Sequence, residues 1–308
     1  MKILVTGGAG FIGSHIVQYY QGRADICVLD NLRSGFKANI TPYEHTFIEG
    51  SITDREIVKR AVDGVDYIFH LAAMISVPES MAKPIACVDI NVNGTLTVLE
   101  EAAKAGVKKM VLSSSAAIYG DNPTVPKLES MLPEPKSPYA ITKLDGEYYL
   151  KMFNDETNLK TASLRYFNVF GPRQDPQSQY AAAIPIFVAK ALKNETITIH
   201  GDGAQTRDFI YVKDIARANA YMAENESHCG IYNVAYGNSQ TVKALAEKIL
   251  EITGSNSKIE YGPERAGDVK HSKAAIDNLS NTGFKSEGDF ELGMEATVRY
   301  FETVNSDN

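Results

Sequence analysis

The sequence predicts an α/β chain: a doubly wound parallel sheet with helices on both faces, followed by a smaller α/β unit. Three observations carry that prediction. Short apolar runs near 2–5, 26–30, 45–48, 66–70, 109–113 and 162–166 alternate with helical patterns, the order that buries a parallel sheet on both sides. The first run leads at once into Gly7, Gly10 and Gly13, and a helical pattern covers Phe11 to Tyr20. The 308 residues, 44% hydrophobic, suffice for one large unit or two modest ones with full cores.

Each element has its reason. Ile3 to Val5 reads as a buried parallel strand. Strand, glycine-rich turn and helix in that order is the context a dinucleotide fingerprint requires. Gly7 supplies the tight turn, Gly10 the close approach to a pyrophosphate, and Gly13 tight packing of the helix on its strand. The phosphates then meet the helix N-terminus. The second strand ends in Asp30, placed where a carboxylate binds an adenosine ribose about 20 residues beyond the glycines. A carboxylate there repels a 2′-phosphate, so NAD is expected rather than NADP; Arg33 nearby is the opposing signal. Residues 1–169 are therefore expected to form an NAD-binding, Rossmann-type domain. After about 170 the pattern loosens. Gly171 to Pro176 reads as a loop, followed by a helix over 181–192, short strands near 197–199 and 207–211, and further helices. Residues 170–308 are expected to be mainly a substrate domain, with some segments returning to the first. The cleft between the two lies over the C-terminal strand edges.

The most informative stretch is Ser115, with Ala116 and Ala117 behind it, and Tyr139-Ala-Ile-Thr-Lys143. Tyr and Lys four apart share a helix face. A free phenol titrates near about 10 and is a poor base at neutral pH. An adjacent ammonium favours the phenolate, so Lys143 is expected to lower Tyr139 into a usable acid/base group. The Ser115 hydroxyl could hydrogen-bond the same substrate oxygen. In isolation the Tyr/Lys pair is as well explained by covering a helix surface.

Further motifs recur along the chain: Asp30-Asn31, His70-Leu-Ala-Ala73, Asn91-Val-Asn-Gly-Thr95, Ser113-Ser-Ser115, Arg165-Tyr-Phe-Asn168, Gly201-Asp-Gly203, Thr206-Arg-Asp-Phe209 and Arg265-x-Gly-Asp268. With the glycines and the Tyr/Lys pair, the chain from Met1 to about Phe301 resembles the extended short-chain dehydrogenase/reductases. It is most similar to nucleotide-sugar 4-epimerases of the UDP-glucose and UDP-N-acetylglucosamine type. The resemblance implies a retained NAD, a transient 4-keto sugar that turns over in the site, Tyr139 as acid/base, Lys143 on the nicotinamide ribose and Ser115 on the C4 oxygen. It also implies cofactor contacts from Phe11, Ile12, Asn31, Ser34, Gly35, Ser51, Ile52, Leu71, Ala72, Ala73, Asn91, Ser113, Tyr139, Lys143 and Tyr166, beside the glycines and Asp30. Gly50-Ser51-Ile52 departs from the family's usual Gly-Asp-Ile, which bears on NAD affinity rather than identity. Related dehydratases carry Asp-Glu where this chain has Ala116-Ala117, so elimination of water is not expected. Packing of two small residues near the cofactor would account for the pair equally well.

The same resemblance implies a substrate site of Ser115, Asn168, Gln174, Arg207, Arg265, Asp268 and Ser272, with Asn and the two Arg on the diphosphate and Asp268 on the uridine ribose. Arginine suits this because its planar fork binds phosphate oxygens in pairs. Ser272 stands where epimerases limited to glucose and galactose tend to carry a bulky Tyr, so the pocket is expected to admit an N-acetyl group as well. The stretch 167–176, followed by Tyr180-Ala-Ala-Ala183, agrees. Asp175 and Asn168 argue against UDP-glucuronate, which remains an alternative. A non-catalytic NAD-binding regulator on the same fold is a second alternative; the intact Ser115, Tyr139 and Lys143 speak against it.

A net charge of −7 spread along the chain argues against nucleic-acid and anionic-membrane partners. No stretch reaches transmembrane length, and the first apolar run is too short for a signal peptide. Cys27, Cys87 and Cys229 lack metal-ligand spacing and suit a reducing cytoplasm; no metal is expected. The family resemblance further implies a homodimer through helices at 85–105 and 140–157. Val98, Leu99, Leu144, Tyr148 and Met152 could face a partner or their own sheet.

Overall fold

The computed structural model describes residues 1–176, 182–264 and 270–306. In chain order the elements are β1 (Lys2–Thr6), α1 (Phe11–Tyr20), β2 (Asp25–Asp30), β3 (Thr46–Glu49), α2 (Arg55–Ala61), β4 (Tyr67–His70), α3 (Val77–Ala82), α4 (Pro84–Val88), α5 (Gly94–Ala105) and β5 (Lys109–Ser115). Then come α6 (Pro138–Glu156), β6 (Lys160–Tyr166), β7 (Asn168–Phe170), α7 (Ala183–Leu192), β8 (Ile197–His200), β9 (Thr206–Arg207), β10 (Phe209–Tyr211) and α8 (Val212–Glu224). The chain closes with β11 (Gly230–Val234), β12 (Gln240–Thr241), α9 (Val242–Thr253), β13 (Ile259–Gly262), α10 (Asp277–Asn281) and α11 (Phe290–Ser306).

Among the described residues, seven parallel strands form the main sheet in the order β3-β2-β1-β4-β5-β6-β11. Val5 pairs with Val28 on one side and Phe69 on the other, so the strand order reverses beside β1 and opens a ligand crevice at the strand C-termini. The apolar runs divide between two faces because successive side chains point opposite ways. Ile3, Val5, Val28 and Phe69 pack under α1 and α8. Leu4, Cys27, Leu29, Ile68 and Met110 pack on the other side with Val98 and Leu99 of α5. A separate core gathers Phe170, Phe187, Val188, Ile199, Leu245, Ile249 and Val298 from the C-terminal half.

Two features depart from the expected elements. β11, pairing with β6, adds a seventh strand that the pattern did not announce. Asn233 interrupts its apolar run, yet is fully buried and donates to the carbonyls of Lys127 and Ala275. The strand expected at 207–211 divides at Asp208, whose carboxylate accepts the backbone N–H of Tyr236 and Ala274. β9 pairs antiparallel with β12, whereas β10 pairs parallel with β7. The helix expected over 85–105 is α4, a π-helical turn at Asp89–Asn93, and α5.

Candidate active site

The dinucleotide end is built by close backbone approach. A Cβ on Gly13 would lie 2.3 Å from the Gly7 carbonyl oxygen, and one on Gly7 would lie 2.7 Å from Ala72 N. Gly7 also has φ +71°, which only glycine adopts without strain. α1 begins at Gly10 in extended conformation with no side-chain cap, leaving its first turn suited to an anion. Gly10, Phe11, Ile12, Asp30, Asn31, Ser34, Gly35, Ser51, Ile52, Leu71, Ala72, Ala73 and Ser113 line the cleft with Gly7 and Gly13. Asp30 is 7% exposed, and its carboxylate accepts Ala9 N at 2.9 Å and Leu32 N at 2.8 Å. Burial pushes that carboxyl up while the two N–H groups act against it. Each oxygen keeps acceptor capacity for a ribose hydroxyl. Arg33, the residue that could favour a 2′-phosphate, is paired with Glu79 at 2.6 Å. Cradle, open helix end and carboxylate together fit NAD.

Two further expected cofactor residues, Asn91 and Tyr166, are not among those lining this cleft. Asn91 is buried, accepts Met74 N at 2.7 Å and donates to Met74 O and Thr142 Oγ1, so it ties the segment after β4 to α6. His70 bridges Thr6 and Thr95 at 2.8 and 3.0 Å; burial and the Lys143 charge hold it neutral, down at about 3. Tyr166 exchanges hydrogen bonds with Asn219 and contacts Ser113. Ser51 Oγ is engaged with Thr53 Oγ1 at 2.8 Å.

The chemical corner is formed by the end of β5 and the start of α6. Ser137 caps α6 by accepting Ala140 N, with Pro138 at the first turn. Tyr139 and Lys143 then stand one turn apart facing Ser113–Ser115. Ser115 accepts Ala117 N at 3.1 Å and hydrogen-bonds the Tyr139 phenol. Lys143 Nζ donates to the Ser113 carbonyl at 2.7 Å and lies 5.8 Å from the Tyr139 ring centroid. Here the expected direction is corrected. Burial raises the Tyr139 phenol, Ser115 acts against it, and Lys143 is not among the opposing influences. The ammonium is spent on the Ser113 carbonyl. Burial likewise brings Lys143 down to about 8.

The expected substrate residues gather around β7, α7 and β9. Asn168 and Arg207 line a cavity of about 620 Å³ with Phe187, Lys190 and His200, a volume suited to a small-molecule site. Asn168 Nδ2 donates to Asp208 O at 3.0 Å, and Ser272 N donates to Thr206 O at 3.1 Å, so Ser272 sits against the strand that carries Arg207. Gln174 Nε2 donates to Val169 O, while its buried Oε1 has no hydrogen-bond partner among the described residues. Arg265 and Asp268, and with them Tyr180, lie outside the described residues.

The cleft is also lined by Leu29, Ile75 and Ile90, which the motifs did not supply, and by Gly50 of the Gly50-Ser51-Ile52 motif. Leu29 and Gly50 adjoin Asp30 and Ser51 and were within reach of the pattern. Ile75 is 62% exposed, a fact of the tertiary structure that no sequence pattern marked.

With the geometry in view, similarity to known proteins can be placed. The model of the NAD dependent epimerase/dehydratase family matches residues 3–235. A putative UDP-glucose 4-epimerase of Methanocaldococcus jannaschii is 39% identical, covering 98% of this chain and 99% of its own. The solved UDP-N-acetylglucosamine 4-epimerase of Methanobrevibacter ruminantium M1, in complex with UDP-N-acetylmuramic acid, is 43% identical with a TM-score of 0.95 over 98% of each chain. The UDP-glucose 4-epimerase of Thermotoga maritima, with UDP-glucose, is 40% identical with a TM-score of 0.93, over 99% of this chain and all of its own.

Proposed function

The chain belongs to the NAD-dependent epimerase/dehydratase family, and from that premise we propose that it is a UDP-hexose 4-epimerase, interconverting gluco and galacto configurations. The observation that carries the reading is the Ser115–Tyr139–Lys143 corner beside the dinucleotide cleft, with Ala116 and Ala117 next to it. Alanine has no proton to give or take, so the corner supports redox at a carbinol and not loss of water.

In this reading Tyr139 takes the proton of the C4 hydroxyl and later returns it, while Ser115 orients the C4 oxygen. NAD, when bound, supplies reversible hydride acceptance at C4. Lys143 holds the nicotinamide ribose. The glycine turn and α1 hold the pyrophosphate, Asp30 the adenosine ribose. Asn168, Gln174 and Arg207, with Arg265 and Asp268, hold the UDP, leaving the 4-keto sugar free to present its other face. Ser272 leaves space at C2, so UDP-GlcNAc and UDP-GalNAc are substrates beside UDP-Glc and UDP-Gal. Residues 1–169 serve the cofactor and 170–308 mainly the substrate, with α8 and β11 returning to the first unit.

The protein is further proposed to be a cytoplasmic homodimer. Cys27, Cys87 and Cys229 are free thiols, and among the described residues no helix is long and apolar enough to cross a membrane. Val98 and Leu99 face their own sheet, whereas Ile85, Ile141, Tyr148 and Met152 of α4 and α6 are exposed, a face available to a second copy.

Proton NMR with UDP-GlcNAc and UDP-Glc, no NAD added, tests the assignment. Galacto products from both are expected. Product from UDP-Glc alone would overturn the assignment at C2, and no product even with NAD would overturn the epimerase reading.

A further inference from the structure

α6 meets β5 through three side chains spaced one turn apart. Tyr139 hydrogen-bonds Ser115, Lys143 Nζ donates to the Ser113 carbonyl at 2.7 Å, and Glu147 Oε1 accepts from Ser114 Oγ at 2.5 Å. Residues spaced by four share one helix face, and three consecutive strand residues receive them. The first two rungs belong to the chemistry proposed above. The third has no role in it.

That third rung is costly. The side chains of Glu147 and Arg165 are 0% and 2% exposed, and a carboxylate so far from water needs a cation and hydrogen bonds on both oxygens. Arg165 on β6 supplies them as a fork, Nε to Oε1 at 2.8 Å and Nη2 to Oε2 at 2.7 Å. Arg165 Nη1 donates to Tyr119 Oη at 2.9 Å, Tyr119 donates to Asn233 Oδ1 at 2.7 Å, and Asn233 Nδ2 donates to the Lys127 and Ala275 carbonyls. A continuous buried network thus runs from the catalytic helix to the segment just beyond Ser272. Stability alone would be served as well by apolar side chains of similar volume.

We infer that Glu147 is a positioning residue of this site: it fixes Ser114, and so Ser115, against the helix bearing Tyr139 and Lys143, and sets its fixed negative charge one turn from the Lys143 ammonium. The inference rests on the epimerase reading of the same corner. The titratable groups facing Lys143 are Tyr139 and Glu147 on α6, Cys87 on α4 and His70 on β4. Burial keeps His70 neutral and raises the Cys87 thiol, which leaves Glu147 as the standing anion among them.

Glu147→Gln keeps the volume and an acceptor for Ser114 while removing the charge. In the full-length protein labelled with [15N]lysine, the Lys143 ammonium, identified by its loss in Lys143→Arg, is expected to titrate at least about half a pH unit lower in Glu147→Gln. The alkaline limb of kcat moves with it, and KM stays within about twofold. Ser114→Ala, which leaves the ion pair intact, is expected to lower kcat at least about threefold at unchanged KM, with the Lys143 titration unmoved. Lys143 titrating as in wild type in folded Glu147→Gln overturns the inference, and so does wild-type kcat in Ser114→Ala, which decides it should Glu147→Gln not fold. A wild-type protein inactive on every UDP-sugar would sink the epimerase reading instead, and the Lys143 titration would then decide the positioning role alone.

Discussion

Arg173 Nη2 lies 2.6 Å from His15 Nδ1, and this contact fastens the segment after β7 to helix α1. The same guanidinium reaches Gln18 Oε1 at 2.5 Å, Asn39 O at 3.1 Å and Tyr43 Oη at 3.3 Å. Arginine has only donors, so Nδ1 of His15 must accept. The His15 proton therefore sits on Nε2, which donates to Pro172 O at 3.0 Å. Burial, with the Arg173 charge, holds His15 neutral, down at about 3. α1 borders the dinucleotide cleft and the 171–176 segment carries Gln174, so this bond ties the cleft to the segment proposed to meet the substrate.

Arg173 itself has φ +67°, a conformation that costs a non-glycine residue about 1–2 kcal/mol. Arg173→Gly would relieve that strain but leave the buried His15 Nδ1 without its donor, at about 1–3 kcal/mol, and remove the donor of the half-buried Gln18 Oε1 as well. The bonds outweigh the strain. Arg173→Gly is expected to be less stable than wild type by urea unfolding; equal or greater stability would show that the staple contributes nothing.

Removing the phenol oxygen tests the chemistry. Tyr139→Phe leaves the ring and its packing in place, and general acid/base catalysis of this kind contributes on the order of 10²–10⁴-fold. Turnover of UDP-Glc should fall by that order with circular dichroism and bound NAD unchanged. Near-wild-type turnover would remove Tyr139 from its role.

Asp208 predicts a pH dependence of stability. It is fully buried, and although its carboxylate accepts backbone N–H from Ala274, Tyr236 and Gly237, burial raises it from 3.8 to about 6. The folded state thus binds the proton more tightly than the unfolded chain. Its contribution is whole below 3.8 and is lost as pH rises through about 6, a decline of about 3 kcal/mol. His15, shifted the opposite way, contributes a rise with pH between 3 and 6.5, so the comparison must be made between variants. Asp208→Asn is expected to be less stable throughout, because its amide nitrogen would face an N–H. Relative to wild type it should gain stability between pH 4 and 7, read by denaturant unfolding; parallel curves would mean that Asp208 is ionised across the range.

The glycine turn, Asp30 and the six strands up to 166 were legible because local pattern and tertiary role coincide there. Buried parallel strands are continuously apolar, and Gly7 and Gly13 are demanded by backbone contact. β11 was not legible, since Asn233 is tolerated in its core through the Tyr119 hydroxyl and carbonyls from residues 127 and 275, all distant in sequence. Nor was the standing of Val98 and Leu99, because helical period alone does not say which body covers a face. At the corner the three residues Ser115, Tyr139 and Lys143 were readable from their spacing. The direction of the Tyr139 shift was not, because it depends on burial and on Lys143 choosing the Ser113 carbonyl. Glu147 was not singled out, because its ion pair with Arg165 joins residues 18 apart in sequence.

The exposed face of α4 and α6 gives a test of assembly. Ile85 is 84% exposed and Tyr148 60%, areas that a second copy would cover. Ile85→Lys combined with Tyr148→Lys would place two charges in such an interface, where an unpaired charge is costly to bury. Light scattering after gel filtration should show a dimer for wild type and a monomer for the double variant. A wild-type monomer would end the dimer proposal.

Substrate choice should turn on Ser272. Its backbone N–H is fixed to Thr206 O, beside the strand that brings Arg207 into the cavity with Asn168, so a larger side chain at 272 cannot escape by moving the backbone without disturbing that strand. Ser272→Tyr adds a ring where an N-acetyl group at C2 is expected to sit. Steric discrimination of a single substituent is worth about 1–3 kcal/mol, or roughly tenfold to two-hundredfold in kcat/KM. The ratio of kcat/KM for UDP-GlcNAc over UDP-Glc should fall by that factor, with UDP-Glc turnover retained. If both substrates fall together, the ring has displaced Arg207 or the diphosphate and the residue does not select at C2. If neither falls, the sugar does not approach 272 at all.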